Sequence, residues 1–383
     1  MAAGTDADEG QRPRWRGCRI VATSMTARVL LANQLRSLPE ADWTVISGDQ
    51  WDDPVEGVEV EVIPIRREFA LSDFTAFFGL WRYLRRQKFD IVQTHTPKAS
   101  FLGLPAARLA GSQAVCTIHG SLYFKGNTRF ANFLGWCFEF WCCMWANSAL
   151  VQSREDEQVL PRVHICPAAK LHYVGNGIML DRFLAPVEPA IHSERPIVLM
   201  VSRLVLEKGC ADFLEVAASL SDKADFVHVG PVEGDQKDAL SPALVAAAEA
   251  AGTVRFIGEV ADVRPYVASA TFMVLPSYRE GIPRAAMEAA AMGRPVAAYD
   301  IRGVREVIDP ALGLLAPRGD VVALTAIVSD LIDAPDRCIE LGKLCREQVV
   351  TQFSEGLVME RLRHFYAETL QSSSTGAPVS GAA

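Results

Sequence analysis

The run from Phe272 to Tyr299 restricts the architecture more than any other part of the chain. It reads as an apolar strand, Phe272-Met-Val-Leu-Pro276, then a polar loop, an Ala-rich helix and a second apolar strand over Pro295 to Tyr299. Pro283 suits the first helical position, Gly293 suits the residue just past the helix, and Pro295 blocks continuation. The unit is therefore strand, loop, helix, strand, with the first strand buried and parallel to its neighbours. In such units ligands bind beyond the carboxyl ends of the strands, where the loop and the free helix N–H groups point. Glu280 on the loop and Glu288 on the helix both lie there, with seven residues between them in a Glu-x7-Glu spacing. With a rise of 1.5 Å per residue, Glu288 stands about 7–8 Å along the helix from Pro283. The two acids thus reach different parts of one ligand. Two isolated acids near a helix start would only favour the macrodipole, so their neighbours decide the matter.

The same alternation recurs along the chain. At 383 residues, 50% apolar, it exceeds what one core usually holds, and two domains are expected. In the first, strands are expected at Arg19 to Thr23, Trp43 to Ser47, Val58 to Ile65, Asp90 to Thr94, Ala114 to Ile118, Ala149 to Gln152 and Leu171 to Val174. A helix runs from Ala27 to Leu38. Ser72 should cap another, with Phe74, Phe77, Leu80, Trp81 and Leu84 on one face and Arg82, Arg85, Arg86 and Lys88 elsewhere. His95-Thr-Pro-Lys98 and His119-Gly120 then fall at strand ends, on the ligand side. In the second domain the strand Ile197 to Val201 leads into the loop Ser202 to Gly209, which carries Arg203 and Lys208. Asp212 suits the first turn of the helix that follows.

The expected organisation is a loose tail over 1–17, a first domain over 18–185, a linker over 186–196, a second domain over 197–352, a C-terminal helix over 353–370, and a disordered tail over 371–383. The fold class is α/β, with two Rossmann-like, doubly wound domains facing a central cleft.

Composition excludes several functions. No apolar run approaches bilayer length, and residues 1–17 lack the apolar stretch of a signal peptide. Nine scattered cysteines without zinc spacing fit reduced thiols in a cytoplasm. Residues 1–190 hold 20 basic against 20 acidic side chains and the remainder 18 against 26, so no part is basic enough to favour nucleic acid. The Arg-rich first half is the better match for an anionic membrane surface. The aromatic run Phe130 to Trp145, FANFLGWCFEFWCCMW, is interrupted by Glu139 alone. It is either a helix buried on most sides or one whose aromatic edge, with Trp136 or Trp145, rests at a membrane interface.

The run Glu280-Gly281-Ile282-Pro283 through Glu288, followed by AMGRPVAAYDIRGVREVI, resembles the donor-binding signature of the retaining glycosyltransferases of family 4, which have the GT-B fold. The Arg203-x4-Lys208-Gly loop is similar to that family's diphosphate clamp, and His95-Thr-Pro-Lys98 resembles a stretch of members that build bacterial surface polysaccharides. The resemblance covers nearly all of residues 18–370. It implies that Glu288 binds the ribose hydroxyls and Glu280 those of the donor sugar. Arg203 and Lys208 then bind the diphosphate, assisted by main-chain N–H groups at Gly281 and Ile282. His119 approaches the sugar from the other domain. His95 and Lys98 belong to the acceptor side, Lys98 as a ligand for an acceptor phosphate. Two departures stand out: Thr23-Ser24-Met25-Thr26 lacks glycines that many members have there, and Ser202 replaces a frequent Gly.

The implied reaction moves a hexose or N-acetylhexosamine from a UDP-sugar to a hydroxyl, with retention and no obligatory metal. Cations and helix N–H groups stabilise the departing diphosphate. Flanking carboxylates can also mean double displacement, but the resemblance makes Glu280 a binder and electrostatic stabiliser. The expected acceptor is an undecaprenyl-diphosphate-linked or other glycan at the cytoplasmic face of a membrane. A soluble small-molecule acceptor and a sugar-nucleotide epimerase remain the alternatives.

Overall fold

A computed structural model describes residues 14–65, 70–232 and 238–375. The chain forms two compact units. The first comprises the chain through Val151, Glu157–His172 and the segment from Arg361; the second comprises Gln152–Asp156 and Tyr173–Glu360.

The first unit holds strands β1 (Trp15–Ile20), β2 (Ala41–Ser47), β3 (Glu59–Val62), β4 (Ile91–Thr94), β5 (Gln113–Ile118), β6 (Ser148–Val151) and β7 (Leu171–Tyr173). They form one sheet in the order β3-β2-β1-β4-β5-β6-β7, and the pairs from β3 across to β6 are parallel. Three of its helices matter below: α1 (Ser72–Gln87), α2 (Pro97–Ala110) and α3 (Arg129–Trp145). β4 and β6 are buried along their whole length, as expected of strands covered on both faces.

The second unit holds β8 (Ile197–Val201), β9 (Asp225–Val229), β10 (Arg255–Gly258), β11 (Phe272–Leu275), β12 (Val296–Asp300) and β13 (Leu315–Pro317), in the order β10-β9-β8-β11-β12-β13 with parallel pairing throughout. Helices α4 (Cys210–Leu220) and α5 (Arg284–Ala291) follow β8 and β11. A last helix, α6 (Glu355–Thr375), supplies the first unit with its residues from Arg361 onward. The order reverses between β1 and β4 in one sheet and between β8 and β11 in the other. Those reversals open a crevice at the carboxyl ends of the central strands.

Several expectations are corrected. β1 begins at Trp15, so Trp15 to Gly17 are strand rather than loose tail, while residues 1–13 lie outside the described residues. The units divide at Val151 and His172 instead of at 186–196. The cause is a distant contact: Glu306 accepts hydrogen bonds from Ser153 Oγ (2.5 Å) and from the N–H groups of Arg154 (3.0 Å) and Glu155 (3.2 Å), and Arg302 pairs with Asp156 at 2.9 Å. Residues 371–375 are helical, and 376–383 lie outside the described residues. Ser72 is the first residue of α1 and not its cap; the carboxylate of Asp73 instead accepts from Ala70 N–H at 3.1 Å. Pro283 is the N-cap of α5, whose helical residues begin at Arg284.

The core of the first unit contains an uncommon feature. Arg19 is fully buried, its guanidinium donating to Gln34 Oε1 at 2.7 Å and to Tyr366 Oη at 3.1 Å, and it lies 4.6 Å from the centre of the Trp43 ring. Tyr366 in turn donates to Gln93 and packs on Trp15, centroids 5.1 Å apart. A buried charge is costly unless its donors find partners; Gln34 and Tyr366 of α6 take the two terminal nitrogens, while Nε has no partner among the described residues.

Candidate functional site

In the second unit the β8 and β11 loops lie side by side because their strands pair, Phe272 with Val198 and Met273 with Leu199. The loops then touch through their main chains. Tyr278 N–H donates to Glu207 C=O at 2.9 Å, and a Cβ on Gly209 (φ 72°) would stand 1.9 Å from the Pro276 oxygen. That contact brings Lys208 to Glu280, Nζ to Oε1 2.8 Å, with side chains 18% and 11% exposed. Glu207 reinforces it from the same loop, pairing with Arg279 at 3.3 Å. Arg203 is half-buried one turn of chain earlier, its C=O accepting from Ser202 Oγ at 3.0 Å and from Val205 N–H at 2.9 Å. One loop therefore carries the Lys208 ammonium, Arg203 and the N-terminus of α4, with the Glu280 carboxylate facing Lys208. Such an arrangement has the chemistry to take a phosphorylated ligand carrying hydroxyls.

The main chain of Gly281 and Ile282 is held from behind. A Cβ on Gly303 (φ 77°) would lie 1.5 Å from the Gly281 oxygen, and the Ile282 side chain is in the core. These two residues present backbone and not side chain. Beneath the loops, Asp212 accepts from Tyr278 Oη at 2.7 Å and Tyr299 Oη at 2.5 Å. This fixes the α4 N-terminus against β12.

Glu288 lies on α5, mostly buried, with Arg284 Nε 3.8 Å away. Burial raises its carboxyl to about 7; Arg284 and Arg182 oppose the shift and Asp262 adds to it. Glu355, itself raised by burial, also faces Arg284. A folded pKa above the unfolded 4.5 means that the native state binds the extra proton. The stability it provides is complete below pH 4.5 and is lost as pH rises to about 7. Glu288→Gln is therefore expected to melt at nearly the wild-type temperature at pH 5 and to be more stable at pH 8, by on the order of 2 kcal/mol. A Gln variant with no advantage at pH 8 in thermal unfolding refutes the account. A ligand hydroxyl donates more strongly to the ionised carboxylate than to the neutral carboxyl, so a nucleotide held by Glu288 should bind more tightly at pH 8 than at pH 6.

In the first unit, His95 and His119 end the adjacent strands β4 and β5, and their facing nitrogens, Nδ1 and Nε2, are 3.4 Å apart. Burial, with Arg19 and His119 nearby, holds His95 well below the usual histidine range, so it is the neutral member. Its Nε2 has no partner among the described residues. Lys98 is 6% exposed and pairs with Asp73 at 2.5 Å, so an acceptor phosphate would meet an ammonium already balanced by a carboxylate.

Glu139, the one acid in the aromatic run, is buried and accepts from Ser121 Oγ at 2.7 Å and Leu122 N–H at 2.6 Å. It thereby anchors the loop that follows His119. The rest of α3 is not buried on most sides: Phe130, Phe133, Leu134, Phe140 and Met144 are exposed, an aromatic edge that differs from the expected one in that Trp136, donating to Val163 C=O at 2.8 Å, and Trp145 are both half-buried. The apolar edge is built of Phe, Leu and Met. On α1, too, Phe74 and Phe78 are exposed while Leu80 and Leu84 are buried.

Sequence reasoning missed His228, Asp73 and the role of Glu139. His228 is buried on β9 with Nε2 3.4 Å from Ser202 Oγ, and burial brings its imidazole down to about 4. A single acid in an apolar helix was the available signal for Glu139; nothing in the spacing pointed to the other two.

Comparison with known proteins bears on both units. Residues 19–182 match the family model described as Glycosyltransferase Family 4, and 195–334 match Glycosyl transferases group 1. The chain is 24% identical over 370 residues to the N,N'-diacetylbacillosaminyl-diphospho-undecaprenol alpha-1,3-N-acetylgalactosaminyltransferase of Campylobacter jejuni, covering 90% of this chain and 96% of that protein. It is 24% identical to the UDP-Gal:alpha-D-GlcNAc-diphosphoundecaprenol alpha-1,3-galactosyltransferase of Escherichia coli, covering 84% and 86%. Over a shorter stretch, 48% of this chain and 45% of the other, it is 32% identical to the 2-deoxystreptamine N-acetyl-D-glucosaminyltransferase of Streptomyces fradiae. Among solved structures, sucrose-phosphate synthase from Thermosynechococcus elongatus superposes with a TM-score of 0.78 at 19% identity, covering 94% of this chain and 100% of that one. HepE of Anabaena with UDP-glucose gives 0.76 at 16%, covering 92% and 99%. These likenesses establish the GT-B fold. With both halves matched in order, the chain belongs to the family 4 glycosyltransferases.

Proposed function

We propose that the protein transfers a hexose or N-acetylhexosamine from a UDP-sugar to a hydroxyl of a lipid-diphosphate-linked glycan, with retention and without an obligatory metal, in the assembly of a bacterial surface polysaccharide. The observation that carries the donor half is the Lys208–Glu280 pair at the reversal of strand order, beside the N-terminus of α4. In this reading Arg203, Lys208 and the α4 N–H groups take the diphosphate, and the Gly281 and Ile282 main chain assists. Glu280 orients the sugar hydroxyls and Glu288 the ribose. As the glycosidic bond breaks, charge grows on the leaving phosphate, and fixed cations stabilise that charge without reorganising. The same cations supply what a metal would otherwise supply. We assign His119 to the donor sugar and the neutral His95 to holding it in orientation.

The acceptor half is supported by the undecaprenol-linked substrates named for the Campylobacter and Escherichia relatives. Among the described residues no helix is long and apolar enough to cross a membrane, so membrane contact would be peripheral, at the cytoplasmic face. A soluble acceptor is the second reading, favoured by the Streptomyces relative.

Calorimetry with UDP, GDP and ADP in metal-free buffer tests the donor. UDP alone should bind; binding of none of the three, or UDP binding only after a divalent cation is added, overturns the assignment. Proton NMR of the product settles the anomeric configuration. For the acceptor, Lys98→Ala combined with Asp73→Asn should raise the acceptor KM roughly tenfold, the worth of one charge-assisted hydrogen bond, with an unchanged donor KM. An unchanged acceptor KM removes Lys98 from that role.

A further inference from the structure

Helices α1, α2 and α3 enclose a cavity of about 730 Å³ in the first unit, and among its lining residues only Asp73 is charged. The walls include Leu71 and Phe74 of the α1 end, Phe101 and Leu109 of α2, and Trp141 and Trp145 of α3. Phe101 stacks on Trp141 with centroids 5.5 Å apart, and Trp141 donates to Phe101 C=O at 3.3 Å, so this wall is fixed. The opposite rim is open, with Leu71 86%, Phe74 68% and Leu109 55% exposed. Water gains little in such a space, and an apolar chain gains a great deal.

We infer that this groove seats the isoprenoid chain of a lipid-linked acceptor. The inference rests on the lipid-linked reading above and adds a subsite to it. Continuity decides the occupant. Asp73, the polar end of the lining, is bound to Lys98 in the first turn of α2, and that turn begins two residues after His95. A diphosphate near Lys98 therefore has an apolar channel leading away from it. The volume is that of a small-molecule pocket, enough for a few isoprene units, with the remainder of a long chain left to the bilayer. Phe130, Phe133, Leu134 and Phe140 on α3 do not line the groove, although they are exposed. Bulk membrane adhesion and chain capture thus fall on different residues of one helix.

The test uses farnesyl diphosphate against inorganic diphosphate, without vesicles or detergent and below the micellar concentration, read by the fluorescence of Trp141 and Trp145. Farnesyl diphosphate should bind at least tenfold more tightly than diphosphate. Phe74→Glu, at an exposed rim position, should abolish that advantage and leave UDP binding unchanged. Phe133→Glu should leave the advantage intact while weakening sedimentation with anionic vesicles. Equal affinity for the two probes, or an advantage that survives Phe74→Glu, overturns the groove. So does an advantage that Phe133→Glu removes as fully as Phe74→Glu, since that assigns it to the outer apolar edge. UDP binding with no chain effect ends this inference alone. Loss of UDP binding in the wild type ends the donor reading instead.

Discussion

Replacing Lys208 with alanine is expected to lower kcat/KM for sugar transfer by on the order of 10²–10³, the usual effect of removing one preorganised group that meets developing charge. Two losses combine. The departing diphosphate loses a cation, and Glu280, 11% exposed and 2.8 Å from that cation, is left unpaired in a half-dry loop. The contributions can be separated. Lys208→Ala with Glu280→Gln relieves the stranded carboxylate and should recover thermal stability, but not turnover, because the sugar then faces a neutral amide in place of a charged acceptor. Steady-state kinetics with a UDP-sugar and a thermal melt of each variant decide it. A Lys208→Ala enzyme within threefold of wild type would show that the pair is structural.

Gly303→Ala should be as damaging to binding, through geometry and not charge. The added methyl would begin 1.5 Å from the carbonyl oxygen of Gly281, at a positive φ of 77°. Both partners are main chain, so no rotamer change relieves the clash; either β12's loop or the Glu280 loop must retreat. A destabilisation above about 2 kcal/mol is expected, together with loss of UDP binding. Gly252→Ala is the control. It shares a positive φ of 65° but has open space around its Cβ, so it should show only the backbone strain and bind UDP normally. If both variants behave alike, the contact with Gly281 carries no function.

The local fold around Glu280 and Glu288 was largely legible because its signals are local. Glu280, Pro283, Glu288 and Gly293 sit within one supersecondary unit, and their spacing alone sets a strand, a loop and a helix; the structure returns β11 and α5 within a residue or two. The neighbourhood of Lys208 and Glu280 required the sheet order, which brings residues 72 positions apart together. The first unit was harder. The Asp73 partner of Lys98 was not legible because it lies 25 residues away on another helix, and the apolar face that includes Phe74 was legible only as a face, because periodicity does not say what covers it. The boundary failed for the same reason. Prolines mark 186–196, but Glu306 reaches back about 150 residues to claim Ser153 and its neighbours.

The burial of Arg19 against Tyr366 has a consequence for biosynthesis. The ribosome makes β1 long before α6, so the Arg19 guanidinium, although it has Gln34 and Trp43 nearby, lacks its Tyr366 partner 347 residues on until α6 emerges. The second unit, closed by Glu360, has all its parts earlier. Vectorial synthesis therefore completes the C-terminal unit before the N-terminal one. A chain released at Glu360 would leave the first-made half as the unfinished substrate for chaperones and proteases.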